Sequence, residues 1–271
     1  MAAKLVLVAS ALVFCCAGQP ADSEFFINGV SGSCLFGFEL LMGKLEFLEE
    51  KLYELERYQR ETHSNNLFTS CSKEPSKISG KYRLQPIANE KPFVGFCEQE
   101  KYDGGWLVIQ HRFDGSVNFY RNWKEYRDGF GRLDGEFWIG LERLHRLTKD
   151  KSVTLMVEIE DYDGNYGYAS YKDFEIGSES ERYELKRLGV YQGTIGNGMR
   201  SNEGRIFTTR DSKNDGDDEN CAESEQGAWW YSECGEANPN GPHKKQGEWK
   251  KMYWYLHKEG AELKFFRMMI K

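Results

Sequence analysis

The densest group of chemically capable residues runs from Asp211 to Cys234, DSKNDGDDENCAESEQGAWWYSEC. Asp211, Asp215, Asp217, Asp218 and Glu219 surround one cation, Lys213. Cys221 and Cys234 follow, with twelve residues between them, and enclose Trp229, Trp230 and Tyr231. Clustered carboxylates are the ligands a hard cation such as calcium takes. Large aromatics beside polar groups suit a pocket for a small ligand. A Cys221–Cys234 bond, if formed, would staple the loop by about 3 kcal/mol in the chain-entropy picture. The same residues would also serve as a solvated acidic turn beside a tryptophan pair in the core, and the stretch alone leaves both readings open.

Other chemistries find little support. Ser116 and Ser232 lack a glycine-framed nucleophile motif, and no HExxH occurs, so no enzyme activity is expected. Asp161 and Asp163 read as a turn and not as an acid–base pair. No CxxC is present and the histidines (63, 111, 145, 243 and 257) are scattered, which argues against zinc. The net charge is −7 and no basic run interleaves with aromatics, so nucleic acid is excluded as the main partner. With 39% apolar and 29% charged residues among 271, the chain has the balance of a soluble globular protein.

Five segments are expected to position these residues. Residues 1–18, MAAKLVLVASALVFCCAG, carry one lysine and a short apolar run ending in small residues, the pattern of a secretory signal peptide. No later segment is apolar enough to span a bilayer, so a secreted, extracellular protein is expected. Residues 19–33 form an N-terminal segment. Residues 34–63 carry a heptad, with Phe38, Leu45, Leu52 and Gln59 at a and Cys34, Leu41, Leu48, Leu55 and Thr62 at d. Lys44 and Lys51 at g then face Glu49 and Glu56 at e of a parallel neighbour, which predicts a short coiled-coil stalk and a parallel homo-oligomer. Loss of Cys15 and Cys16 with the signal leaves five cysteines: Cys34, Cys71, Cys97, Cys221 and Cys234. An odd number suggests a bond between chains, and Cys34 on the seam is the candidate. Residues 64–70 are read as a hinge, and 71–271 as the globular domain.

Within that domain, ISGKYRLQP and KPFVGFC read as strands that a Cys71–Cys97 bond would tie together. Trp106 to Gln110 alternates as a strand, and Asp114-Gly115 is a turn of hairpin type. Asn122 to Asp128 and Leu141 to Leu147 have helical spacing. Ser152 to Ile159 is a strand that turns at Asp163-Gly164-Asn165 and returns through Tyr166 to Phe174. MYWYLHK and ELKFFRMMIK are expected to pair as the last two strands.

GGWLVIQHRFDGSVNFYRNWKEYRDGFGRLDGEFWIGLERLHRLT and NDGDDENCAESEQGAWWYSEC resemble the core and the calcium-loop and pocket segment of fibrinogen-like domains. The resemblance covers residues 71–271 and includes the secreted ficolins and tachylectins and the angiopoietin-type ligands; no Gly-X-Y repeat like that of ficolins occurs. It implies an α+β fold, with a twisted antiparallel sheet and a loop-rich C-terminal subdomain, here preceded by the short coiled coil. It also implies a calcium loop with side-chain ligands at Lys213 and Asp215 and carbonyl ligands at Asp217 and Glu219. A lysine cannot coordinate a cation, so calcium binding is expected to be weak or absent unless Asp211, Asp217 or Asp218 compensates. The opening DSKNDG also matches an EF-hand start, but Lys213 and Ala222 occupy ligand positions there, so that match is set aside.

The resemblance further implies a ligand pocket beside the second disulfide, formed at Tyr231, Glu233, Cys234 and Gly235. A cis peptide would fall at Glu233–Cys234, and Gly235 stands where lectin-like members carry a histidine. The expected function is a secreted, oligomeric recognition protein that binds glycans or acetylated groups on microbial surfaces in innate immunity. The alternative is a ligand or assembly protein that binds another protein.

Overall fold

The computed structural model describes residues 42–52, 66–243 and 251–271. The chain divides into two compact units, Met1–Glu61 and Thr62–Lys271.

In the first unit, residues 42–52 are helical. Leu48 and Leu52, both on the predicted seam, are 62% and 53% exposed. These two seam positions are therefore open on a single chain. Phe47 is exposed too but lies off the seam. The seam positions at 34–41 and 53–62, Cys34 among them, and the signal-like run 1–18 lie outside the described residues.

The second unit is built on β1 (Leu67–Phe68), β2 (Gly80–Leu84), β3 (Phe93–Glu98), β4 (Trp106–Arg112), β5 (Phe130–Gly131), β6 (Phe137–Trp138), β7 (Leu155–Asp161), β8 (Tyr166–Tyr171), β9 (Glu175–Ile176), β10 (Leu185–Arg187), β11 (Tyr191–Gly193), β12 (Ala237–Asn238), β13 (Tyr253–Trp254) and β14 (Leu263–Ile270). Ten of these form one sheet in the order β1-β2-β3-β4-β14-β7-β8-β11, with β6 attached to β4 and β5 to β6. Among the described residues only the β1–β2 pair is parallel; β1 lies within the segment read as a hinge. The fold is the α+β arrangement expected of a fibrinogen-like domain.

Two elements depart from the expectation. β14 was expected to pair with the MYWYLHK strand. Instead it lies between β4 and β7, antiparallel to both, while β13 pairs with β12. Between the last two segments the strand pairing among the described residues is a single isolated bridge, Tyr253 to Glu262. The cause is the burial of both faces of β14. Phe266, Met268 and Ile270 enter the main core and Met269 a second cluster with Trp106 and Met156. A strand buried on both faces belongs at the centre of a sheet. Nor does Asp114-Gly115 close a simple hairpin. The Glu136 carboxylate accepts from the amides of Phe113, Asp114, Gly115 and Val117 and so folds that turn.

Helix α1 (Trp123–Asp128) opens with a capping box, in which Asn122 accepts from the Glu125 amide and Glu125 accepts from the Asn122 amide. It ends at Gly129, whose φ of 89° and close approach to the Ile139 carbonyl (a Cβ would lie 2.8 Å away) leave room only for glycine. Helix α2 (Leu141–Thr148) buries Leu141, Leu144, Leu147 and Thr148, the helical spacing read from the sequence.

Candidate functional site, the stapled corner at residues 207–241

Little regular structure holds the corner. Helix α3 (Cys221–Ser224) and β12 are joined by bridges from Thr208 to Trp229 and from Thr209 to Ser212. Side chains supply most of the remaining bonds. Asn220 caps α3 by accepting from the Ala222 amide and donates to the Thr209 and Arg210 carbonyls. Asn214 donates to the Phe207 carbonyl at 2.9 Å. Asn240 donates to the Ala228 carbonyl, and Asn238 to those of Glu225 and Lys251. From the sheet, Gln110 and Arg112 of β4 donate to carbonyls at Pro239 and Gly241. A buried backbone without ladder partners needs such side chains to satisfy its carbonyls.

Cys221 and Cys234 are bonded, as are Cys71 and Cys97. Trp229 and Trp230 are fully buried and meet edge to face at 5.0 Å. Trp230 donates to the Tyr183 carbonyl, whereas Trp229 Nε1 meets no acceptor among the described residues. Tyr231, expected at the ligand, is 1% exposed and donates to Asn238 Oδ1 at 2.8 Å. Burial raises its pKa well above the usual tyrosine value. Gly227 faces the same pair, and a Cβ there would sit 2.3 Å from Asn238 Oδ1. Tyr231 is thus part of a tight internal contact. Glu233 and Gly235 lie at the surface and Cys234 is half-buried. No cis peptide occurs among the described residues, Glu233–Cys234 included. Both residues instead adopt left-handed conformations, with φ of 51° and 56°, which non-glycine residues rarely take.

The acids of the expected metal loop point apart. Asp211 accepts from the Trp123 amide at 2.8 Å and the Thr209 hydroxyl at 2.7 Å, so it anchors α1. Asp215 is 5% exposed and accepts from the Cys221 amide at 2.8 Å and the Asp217 amide at 3.3 Å. Glu219 is exposed. Among the described residues the one set of three potential metal donors is Asp217 with Cys221 and Cys234. Their sulfurs lie 3.0 and 3.7 Å from the Asp217 carboxylate, but a disulfide sulfur has neither a proton to donate nor a thiolate to offer. Lys213 places an ammonium among the expected ligands and donates to the carbonyls of Asp217 and Asp218. These residues do not fit a calcium ion.

Open space lies mostly elsewhere. A groove of about 490 Å³ lies between the β2–β3 connection and α2, with Pro86, Ile87, Phe93, Arg143 and Leu147 in its walls. A polar cleft of about 500 Å³ includes Arg112, Ser116, Asn118, Gln226 and His243. Beside α3 there is only an open depression of about 360 Å³ edged by Glu219, Asn220, Glu223 and Ser224. Neither the groove nor the cleft contains any of the residues expected to bind ligand. Sequence reasoning missed the asparagines that shape the corner, since NPNG and ENC read as ordinary turn residues.

Sheet, disulfides and stapled corner together define a fibrinogen-like globular domain. The model for the C-terminal globular domain of fibrinogen beta and gamma chains matches residues 69–271, and the chain belongs to that family. It is similar to human angiopoietin-related protein 1 (40% identity over 72% of this chain and 40% of that one), human angiopoietin-related protein 7 (39%, covering 72% and 58%) and ryncolin-4 of Cerberus rynchops (40%, covering 62% and 48%). The matches thus span about 40% to 58% of the length of these relatives. Among solved structures, the fibrinogen-like globe domain of human ANGPTL2 superposes with a TM-score of 0.71 at 37% identity, covering 75% of this chain and 98% of that one. A lamprey fibrin D-dimer complexed with the peptide Gly-His-Arg-Pro-amide gives 0.69 at 26% identity, covering 100% and 94%. As a member of this family the chain is not an enzyme. No described helix is long and apolar enough to cross a membrane.

Proposed function

We propose that this chain is an extracellular ligand or assembly protein whose globular domain binds another protein, as the alternative reading of the sequence held. The observation that carries the proposal is the closure of the aromatic corner. Trp229, Trp230 and Tyr231 are at most 1% exposed, and Gly235 supplies no side chain to hold an acetyl group. Beside the disulfide, Glu233 and Gly235 form an exposed edge suited to contact with a partner surface. Similarity to angiopoietin-related proteins at about 40% identity supports the same direction, as does a relative of this fold that holds a short peptide. Two intramolecular disulfides suit an oxidising, extracellular setting. The exposed Leu48 and Leu52 support the stalk as a parallel homo-oligomer, locked through Cys34, which would convert weak single contacts into avidity.

The glycan reading keeps one support, the exposed Glu233–Gly235 edge beside the disulfide. Binding to cell surfaces separates the two. The purified oligomer is offered to cells before and after surface proteolysis, with free N-acetylated sugars as competitors. Protein recognition predicts binding that proteolysis abolishes and sugars leave intact. Binding that sugars displace would replace it with the microbial-glycan reading.

A further inference from the structure

We propose that the loop at residues 213–220 is closed by its own lysine, which takes the place of a bound calcium ion and keeps one out. Four observations converge. First, Lys213 stands at a position expected to carry a carboxylate, and its ammonium donates to the backbone carbonyls of Asp217 and Asp218, the latter at 3.0 Å. The Asp217 carbonyl is one of those the family resemblance assigns to the ion, so the ammonium occupies acceptor capacity that calcium would need. Second, the other expected side-chain ligand, Asp215, faces inward and already accepts from the Cys221 and Asp217 amides. It ties the loop to the start of α3 and to the disulfide. Third, Asp211 is held by the Trp123 amide and the Thr209 hydroxyl, and so does not compensate for the lysine. Fourth, the Asp217 carboxylate lies against the Cys221–Cys234 sulfurs, away from any second carboxylate close enough to form a three-donor set among the described residues.

Electrostatics gives these contacts one sense. Loop carbonyls turned toward a common point carry partial negative charge that must be met by a cation or by water. A divalent ion meets it with six to eight oxygens at about 2.3–2.6 Å. Here a tethered monovalent ammonium meets it with directed hydrogen bonds. The tether makes the interaction intramolecular, so its occupancy does not depend on the calcium concentration. A calcium ion entering the loop would meet this fixed positive charge at close range. The corner therefore forms equally in the presence and absence of calcium.

The test is thermal unfolding of the full chain in EDTA and in about 10 mM calcium, roughly tenfold above the dissociation constants of the weakest extracellular calcium modules, with calorimetric titration of calcium into the wild-type protein. The wild type is expected to show the same Tm in both and no binding heat. Lys213→Met, which keeps the stem and removes the charge, should lower Tm by a few degrees in both solutions. Lys213→Asp should be the variant whose Tm rises with calcium. A wild-type Tm raised by calcium by about 5 °C or more, the scale expected of a site well above half-saturation, would overturn the proposal. So would an unchanged Tm in Lys213→Met, or a Lys213→Asp protein that ignores calcium. The wild-type titration needs no variant to fold and no partner to be known, so its outcome is independent of the proposed function.

Discussion

Strands β4, β14 and β7 are held by ladders of backbone bonds that any side chain could accompany. Residues 207–241 have almost no ladder. Their carbonyls and amides are met by Asn214, Asn220, Asn238, Asn240 and Asp215 and by the Cys221–Cys234 staple. The lesson is one of residue specificity. In the sheet, sequence enters mainly through burial and alternation. In the corner, each amide side chain has a geometry that no other residue reproduces, so single substitutions there should propagate.

The sheet also carries buried ionic side chains, Arg112 with Glu136 among them, and breaking its largest such group should produce the largest effect. Arg267 of β14 lies buried between Glu98 of β3 and Glu158 of β7, and Lys101 also reaches Glu158. Burial would raise both carboxyl pKa values, but hydrogen bonds and the Arg267 charge outweigh it and hold them below the usual range. Arg267→Met removes the cation shared by two buried carboxylates and is expected to cost about 3 kcal/mol in urea unfolding. A cost below about 1 kcal/mol would show that the sheet tolerates the loss of even its ionic side chains.

In the corner, replacing Cys221 and Cys234 together by serine should cost about 2–5 kcal/mol. The comparison sharpens if hydrogen exchange then rises in 207–241 while β4 and β14 stay protected. Asn238→Ala comes next. It orphans the Tyr231 hydroxyl and the Glu225 and Lys251 carbonyls, and an unsatisfied buried polar group costs about 1–3 kcal/mol. An equal truncation at exposed Val94 of β3 should be nearly neutral, and comparable losses at the two sites would break the contrast.

The smallest effect is a pH slope. Burial, with help from the Arg267 charge, lowers the His111 pKa from 6.5 to about 4. The folded protein therefore holds fewer protons than the unfolded chain between about pH 6.5 and pH 4, and stability falls as pH drops through that window. Glu98 and Glu158, with depressed values, lose their contributions only lower, as pH falls from their unfolded value of 4.5 through their folded ones. His111→Phe should flatten the slope between pH 6.5 and 5 in chemical denaturation, beside Phe113, Phe137 and Phe265, which already pack around the ring. An unchanged slope would mean that the ring titrates normally.

The same contrast explains what the sequence disclosed. The spacing of Leu141, Leu144 and Leu147 places α2 because burial repeats along a helix, and the apolar run from Trp106 marks β4, although β4 is buried on both faces and does not alternate as expected. The long motifs around GGWLVIQHRF and NCAESEQGAWW revealed the family for the same reason, as ordered patterns. Position within the sheet was less legible. β14 and the MYWYLHK segment look alike as aromatic strands, and only burial on both faces puts β14 at the centre. In the corner, Tyr231 and Glu233 are two residues apart yet one is internal and the other exposed. Their types are consistent with that split, since a charged glutamate is seldom buried, but the bond that closes Tyr231 inside depends on where Asn238 returns. The conflict posed by Lys213 was visible beforehand; its carbonyl partners were not.

Amide hydrogen exchange at Asn214, Asp217 and Cys221 tests most directly whether the corner is held by its own side chains. Their acceptors are Thr208 Oγ1 and the two oxygens of Asp215. In the wild-type protein, protection at these amides should be the same in EDTA as in millimolar calcium. Rapid exchange in EDTA that calcium suppresses would contradict the account.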